Sequence, residues 1–347
     1  MRLGLRAEGP IDQVALWLNL APSPVAETLF GMTMSRVLMA GIRLGLFAAL
    51  AGGPIDAAAL ADRCGLRPDG TRHLLDCLAA LGHVRRQGAR YQLSARGRRW
   101  LDPASSTYIG TFLEFNYAQW AWWSRLEEVI SAGQSFEIHD FAPDDPRWRL
   151  YITAMFELSR LAAPEVARKI RLPSGATRLL DVAGGHGWFS ATLVRRHPGL
   201  TSTVLELPGS ARIGREIIAN AGLSDRVLHL EGDLTREIPP GPFDGILYFQ
   251  TFRHFSLEQN LELLRRLHDV LVPGGVLAVM DYVAQPDDRQ PDMEAFVGLN
   301  YYLTTGGALS TAADMQACIR SAGFTDVRSG TVLRLPGQAL CLAKKAR

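Results

Sequence analysis

The run LLDVAGGHGWFSATLVRRHP, residues 179–198, constrains the chain more than any other stretch. An apolar segment ending at Asp181 reads as a buried strand, glycines crowd the next six residues, and from Trp188 apolar side chains recur at helical spacing. A turn of this kind lets a ligand approach the backbone where a Cβ would clash, although a tight strand-to-helix turn can carry the same glycines with no ligand. Beyond it, STVLEL, RVLHLEGD, FDGILYFQ and GVLAVMDY are short β-rich runs separated by helix-like stretches or loops. The alternation predicts an α/β architecture, a Rossmann-like, doubly wound and mostly parallel sheet. FTDVRSGTVLRL and QALCLAKK in the tail read as two further strands, an antiparallel hairpin at the edge of a seven-stranded sheet.

Acidic residues decide what such a turn would hold. Glu206 ends the second strand, where its carboxylate can accept hydrogen bonds from both hydroxyls of a ribose. Asp233 ends the third, in LEGDLT, where a carboxylate can take the exocyclic amine of adenine. With Asp181 they place three carboxylates along one sheet edge, an adenosine pocket without a phosphate site. A phosphate-binding dinucleotide fold would show GxGxxG, whereas this turn is GGHG preceded by an acid.

The N-terminal third is organised differently. From Glu27 to Leu50 apolar residues recur at helical spacing until Gly52-Gly53-Pro54, which predicts one or two buried helices. Two short amphipathic helices follow, parted by Arg67-Pro68, and then two strands flanking Gln87-Gly88. Helices followed by a hairpin make a winged helix. That motif and its arginines (Arg85, Arg86, Arg90, Arg96) admit a DNA-binding regulator, but the second helix offers only Arg72 and His73 before turning apolar. A dimerisation and substrate-lid module accounts better for the same features. Three tryptophans in the next helix, Trp120, Trp122 and Trp123, cannot share one face, so some must line a cavity or an interface.

Composition narrows the field. At 347 residues with 47% hydrophobic content and mean hydropathy +0.03, two domains can each build a core. A net charge of +2 provides no strong field for nucleic acid or an anionic membrane. Four scattered cysteines form no CxxC pair, so reduced thiols in a cytoplasm are expected, with no zinc site. The opening basic residues Arg2 and Arg6 are interrupted by Glu8, Pro10 and Asp12, and Val14 to Ala21 is too short for a signal peptide. No later stretch is expected to approach a membrane span. His139-Asp140 suggests half a metal pair, but no third ligand lies at helical spacing, and no metal is expected.

Taken together, DVAGGHG, VLELPG, Gly232-Asp233, LRRLHDVLVPGG and GGAL at 306–309 resemble the class I S-adenosylmethionine (SAM) dependent methyltransferases. More narrowly, the chain is similar to the small-molecule O-methyltransferases of plants and of bacterial secondary metabolism, over nearly its whole length. The resemblance implies a homodimer formed through residues 1–103, a helical linker at 104–164 that contributes to the substrate pocket, and a SAM-binding domain at 165–347. It places Ala183, Gly185 and Gly187 against the methionine part of SAM, with Asp181 before them. Glu206 would meet the ribose, Asp233 and Leu234 the adenine, and Phe249 and Gln250 would sit beside the cofactor and the substrate entrance. Trp120, Met155, Phe156, Asn300 and Tyr301 would line the acceptor pocket. Relatives carry glycine where Ala183 stands; since that contact is through backbone, cofactor binding is expected to survive.

The departure at the catalytic position is larger. Relatives carry LHDW after the fourth strand, its histidine acting as general base, supported by two glutamates. Here the segment is Phe252-Arg253-His254-Phe255, so Arg253 takes the histidine position and His254 follows it. Asp281 matches the first supporting glutamate and Leu309 replaces the second. Arginine stays protonated and cannot act as a base, but it can pair with an anionic acceptor. The expected function is methyl transfer from SAM to a hydroxyl of a small, apolar or aromatic acceptor, driven mainly by proximity, with Arg253, His254 and Asp281 as the catalytic group. Transfer to carbon or nitrogen, or a SAM-bound reaction that is not methylation, are the alternatives.

Overall fold

The computed structural model describes residues 9–18, 20, 22–286 and 292–347. Arg2, Arg6, Glu8 and Ala21, on which the expectations about the N-terminus rest, lie outside the described residues. The chain divides into two compact units, Met1–Gln119 and Trp120–Arg347. The division falls inside the segment 104–164.

In the first unit, α1 (Pro10–Trp17), α2 (Ser23–Arg43) and α3 (Leu46–Ala51) precede β1 (Ile55–Asp56), α4 (Ala57–Cys64) and α5 (Pro68–Ala80). Then come β2 (Val84–Gln87), β3 (Arg90–Leu93), α6 (Ala95–Leu101) and α7 (Gly110–Trp123), the last of which runs on into the second unit. The wing is a three-stranded sheet in the order β1-β3-β2. Gln87 pairs with Arg90, so its turn is Gly88-Ala89, one residue later than the sequence suggests, with Gly88 at φ +61°. Asp56 explains the unforeseen β1: it pairs with Arg90 while its side chain caps α4 through the Ala59 N–H. Leu46, Phe47, Leu60, Leu75, Leu78 and Tyr91 form the core.

The expected burial of α2 needs correction. Only Met39 and Gly41 are buried along it, while Val25, Leu29, Phe30 and Met32 are each more than half exposed. Its apolar residues cover more of the helix circumference than one small core can contact. The expectation that no segment reaches membrane-span length is also overturned, since α2 is long and apolar enough by composition.

In the second unit, α8 (Leu126–Ala132) and the long α9 (Arg147–Lys169), unbroken through Pro164, lead into β4 (Arg178–Val182), α10 (Trp188–Arg196), β5 (Thr201–Glu206), α11 (Pro208–Asn220) and β6 (Val227–Glu231). They continue as β7 (Phe243–Phe249), α12 (Leu257–Val270), β8 (Leu271–Tyr282), α13 (Met293–Thr305), α14 (Ala312–Ser321), β9 (Thr325–Thr331) and β10 (Gln338–Lys344). The sheet order is β6-β5-β4-β7-β8-β10-β9. The first five strands run parallel, and β10 is antiparallel to both its neighbours, which is the expected edge hairpin. One face buries Ala163 and Val166 of α9 with Phe189 and Val194 of α10; the other buries Leu264 and Leu267 of α12 with Met315 and Ile319 of α14.

Strand order reverses beside β4, with β5 and β6 on one side and β7 and β8 on the other, so a crevice opens where β4 and β7 end. A buried amide fixes the chain that leaves β7. Asn260 accepts the Tyr248 hydroxyl at 2.7 Å and donates to the carbonyls of Phe252, Phe255 and Ser256 at 2.8 to 3.0 Å. Asn260→Ala leaves the Tyr248 hydroxyl and the Phe252 carbonyl without that partner, and we expect a loss of about 2–4 kcal/mol in urea denaturation. Asn260→Asp, which sets a carboxylate against the same carbonyls in a buried site, should lose at least as much as Asn260→Ala.

Candidate active site

At the carboxyl ends of β4, β5 and β7 lies a cavity of about 420 Å³. The glycine turn forms one wall. Gly184 packs over Asp181, and a Cβ there would come within 2.5 Å of the carboxylate carbon, so no larger residue fits. Gly185 and Gly187 have φ of +54° and +66°. Ala183 also sits in the left-handed region, at φ +51°, which costs about 1–2 kcal/mol for a residue with a Cβ.

The turn is tied down by side chains of several elements. Glu206 at the end of β5 accepts the Gly185 N–H at 2.6 Å on one oxygen and the Leu207 N–H at 2.7 Å on the other. Asp181 accepts the Ser190 hydroxyl at 2.6 Å, and Ser202 joins Ser190 at 2.8 Å. Burial pushes both carboxyls up to about 7; the Ser190 hydrogen bond opposes this for Asp181, and the two N–H bonds oppose it for Glu206. His186, read from sequence as lying along the cleft, accepts the Trp188 N–H on Nδ1 and meets Ser159 of α9 through Nε2 at 2.8 Å. Burial, assisted by His229, lowers it to about 3 and keeps it neutral. His229 of β6 meets the Gly185 carbonyl at 3.0 Å and occupies the space that a side chain at Gly187 or Gly214 would need.

The opposite end is built from the turn Phe252–His254, the turn Ile138–Asp140 and α9. Arg253 donates to Asp281 through both Nη1 and its backbone N–H, and Asp281 also accepts the Tyr282 N–H at 2.7 Å. The guanidinium lies 3.9 Å from the centre of the Tyr301 ring. Burial works against its charge, but Asp281 and Tyr301 outweigh it and hold Arg253 above its ordinary value. His254 turns inward, its ring edge-on to His139 at 4.8 Å. Burial first, then Arg253, depress both imidazoles, His139 to about 4. Burial pushes the Tyr151 hydroxyl, 3.3 Å from His139 Nε2, up to about 12.

Of the residues singled out in the sequence, Asp181, Ala183, Gly185, Glu206, Asp233, Leu234, Phe249 and Gln250 line this one cavity together with Met155, Arg253 and His254. Gly187 stands behind the wall against His229, and Asp281 stands behind Arg253. Tyr301 lies under Arg253, and Phe156 packs on His186 and Trp188 behind the turn. Trp120 and Asn300 are not among the lining residues. Sequence reasoning missed Trp148, Tyr151, Ile152 and Ser159, which line the cavity from α9. With Met155 they recur at helical intervals, a stripe that could have been projected from Met155 alone. His139 was weighed only as a metal ligand; among the described residues no group of three or more His, Cys, Asp or Glu is placed to hold a metal.

These residues fit an adenosyl sulfonium better than a phosphate. Glu206 keeps lone pairs after its two N–H bonds, Gly185 leaves open space beside it, and buried carboxylates would repel a phosphate. The fold and site define a class I, SAM-dependent methyltransferase.

The O-methyltransferase domain family matches residues 126–325, and the O-methyltransferase dimerisation domain matches 26–103. The chain therefore belongs to the O-methyltransferase family. It is 28% identical over 314 residues to a 3-hydroxy-5-methyl-1-naphthoate 3-O-methyltransferase of Streptomyces sahachiroi, covering 89% of this chain and 91% of that one. It is 30% identical over 342 residues to the N,N-dimethyltransferase OxyT of Streptomyces rimosus, covering 94% and 98%. Human N-acetylserotonin methyltransferase, solved in complex with SAM, shares the fold at a TM-score of 0.82 and 21% identity, over 99% of this chain and all of that one. The match at 26–103 identifies the winged-helix region as a dimerisation domain.

Ala183→Gly should relieve the left-handed strain and raise stability by about 1 kcal/mol in thermal or urea unfolding, with S-adenosylhomocysteine (SAH) affinity unchanged or tighter. Binding at Glu206 needs its carboxylate form, so below about pH 7 a proton must leave first. Calorimetry should show SAH affinity rising by up to about tenfold per pH unit from about pH 5.5 to 7 and levelling above. Glu206→Gln should weaken binding at least about tenfold and abolish the slope.

Proposed function

We propose that this chain transfers the methyl group of SAM to a hydroxyl of a small, largely apolar or aromatic acceptor. A homodimer in the cytoplasm, acting in secondary metabolism, is the form that fits the dimerisation match and the free cysteines. In this division of labour residues 1–103 dimerise, 104–164 shape the acceptor pocket and 165–347 hold SAM. The observation that carries the proposal is the continuity of the cavity: the Glu206 end, shaped for an adenosyl group, opens directly onto Met155, Arg253 and His254.

SAM supplies an electrophilic methyl on a sulfonium. Glu206 would hold the ribose, Asp233 and Leu234 the adenine, and the backbone at Ala183 and Gly185 the methionine part, with Phe249 and Gln250 beside the cofactor. Holding an acceptor oxygen in line with that methyl contributes by proximity. Arg253, already balanced by Asp281 and stacked on Tyr301, is a fixed donor that orients the acceptor and cannot remove its proton. With one guanidinium nitrogen committed to Asp281, its pull on a second anion is weaker than the sequence suggests.

Transfer to nitrogen is the second possibility, favoured by the likeness to the N,N-dimethyltransferase. An amine brings its own lone pair and needs no base.

Incubation with SAM and a panel of hydroxylated aromatics, hydroxynaphthoates included, should release SAH and a product heavier by one methyl. NMR of that product should place the methyl on oxygen. A methyl on nitrogen or carbon would replace the proposed acceptor group, and no turnover with any acceptor class would contradict methyl transfer itself.

A further inference from the structure

Arginine at the base position leaves the hydroxyl proton without a destination, and the cavity holds another candidate. We infer, resting on the methyl-transfer function above, that His139 is the group that takes the acceptor's proton, so that the base has moved from the strand end to the opposite wall.

His139 sits on the one-turn helix Ile138–Asp140 and lines the same end of the cavity as Met155, Arg253 and His254. Its ring is held from two sides. Nε2 is 3.3 Å from the Tyr151 hydroxyl of α9, and the His254 ring meets it perpendicularly at 4.8 Å. A hydrogen bond on one nitrogen and a packed face fix the plane of an imidazole, which is how an oriented base is built. Among the described residues Nε2 is its one hydrogen-bonding nitrogen, and in the tautomer whose Nε2–H donates to the Tyr151 oxygen, Nδ1 keeps its lone pair for an incoming hydroxyl.

The neighbours do not offer the same chemistry. His254 lines the same cavity, but its Nδ1 is sealed from solvent without a partner, so that nitrogen cannot reach the acceptor. Tyr151 keeps its proton far above neutral pH and Arg253 is already protonated, so neither can accept one. His139 is faced by Tyr151 of α9, by Arg253 and His254 of the turn Phe252–His254, by Asp140 on its own turn, and through Arg253 by Asp281 and Tyr301 of α13. Burial and the Arg253 charge keep the imidazole neutral at neutral pH, so its acceptor lone pair is free although its basicity is lowered.

In the step, the acceptor's O–H bond breaks and its proton passes to His139 Nδ1. The oxygen forms a bond to the methyl carbon as the carbon–sulfur bond breaks, its electron pair returning to sulfur to give neutral SAH. With Arg253 close by, the imidazolium is unstable and releases its proton to water. The substrate class follows: a hydroxyl that is neutral at working pH, as in a phenol or naphthol, and not a preformed anion.

The test uses the full-length protein with SAM and 2-naphthol as probe, comparing wild type, His139→Ala and His139→Gln, the last of which preserves bulk and a polar contact to Tyr151. SAH binding by calorimetry should stay within about twofold of wild type, because His139 lies away from Glu206. At about pH 7, kcat/KM should fall by roughly 100-fold or more in both variants. At saturating SAM wild type should be nearly flat from about pH 7 to 9, whereas the variants should gain about tenfold per pH unit as the naphthol ionises on its own. Added imidazole should restore part of the rate of His139→Ala. Variants within about threefold of wild type over that range, with no pH slope, would overturn His139 as the base and leave methyl transfer intact. If wild type methylates neither 2-naphthol nor any other hydroxyl in the panel, the functional assignment fails and the base falls with it.

Discussion

The site depends on a carboxylate bound by two backbone amides. Glu206 reaches from the end of β5 to the N–H of Gly185 in the turn after β4 and to the N–H of Leu207 at the start of α11. Those bonds tie the turn down and set one buried acidic group, with lone pairs to spare, at the point where the strand order reverses. Burial raises Glu206 and Asp181 together, and the hydrogen bonds around them only partly compensate. A ligand that brings hydroxyl donors relieves part of that cost, whereas a phosphate would add to it.

The far end follows a different rule, that of balanced charge. Asp281 neutralises Arg253 and also receives its backbone N–H, so the pair acts as a rigid floor, with Tyr301 stacked beneath the guanidinium. Asn260 holds three carbonyls of the same turn and the residues after it, and accepts the Tyr248 hydroxyl of β7. An ion pair held this firmly is suited to orienting a substrate and unsuited to moving protons, which directs attention to the neutral imidazoles across the cavity.

How far the sequence speaks depends on whether a feature is local. The strand–turn–helix at 179–198, the strand-ending acid Glu206 and the edge hairpin are written in consecutive residues, and the structure has them where periodicity put them, whereas β6 stops at Glu231 and leaves Asp233 in the loop beyond the strand. The outward apolar face of α2 was not legible, because periodicity says that a stripe must be covered and not by what. His139 was equally obscure: it stands 115 residues before His254, and nothing in the residues around it signals that folding brings the two rings together. Trp120 drew attention by composition, yet α9 supplies that wall of the cavity with Tyr151, Ile152 and Met155. The left-handed backbone of Ala183 shows how much the turn geometry matters, since the surrounding bonds impose it on a residue that resists it.

The central claim, that Glu206 and the glycine turn cradle an adenosyl group, is tested most directly by a crystal structure grown with SAH. The account predicts both ribose hydroxyls at roughly 2.6–3.2 Å from the Glu206 oxygens and the sulfur facing Arg253 and His254. A nucleoside seated elsewhere, or a crevice still empty of it at saturating SAH, would contradict it.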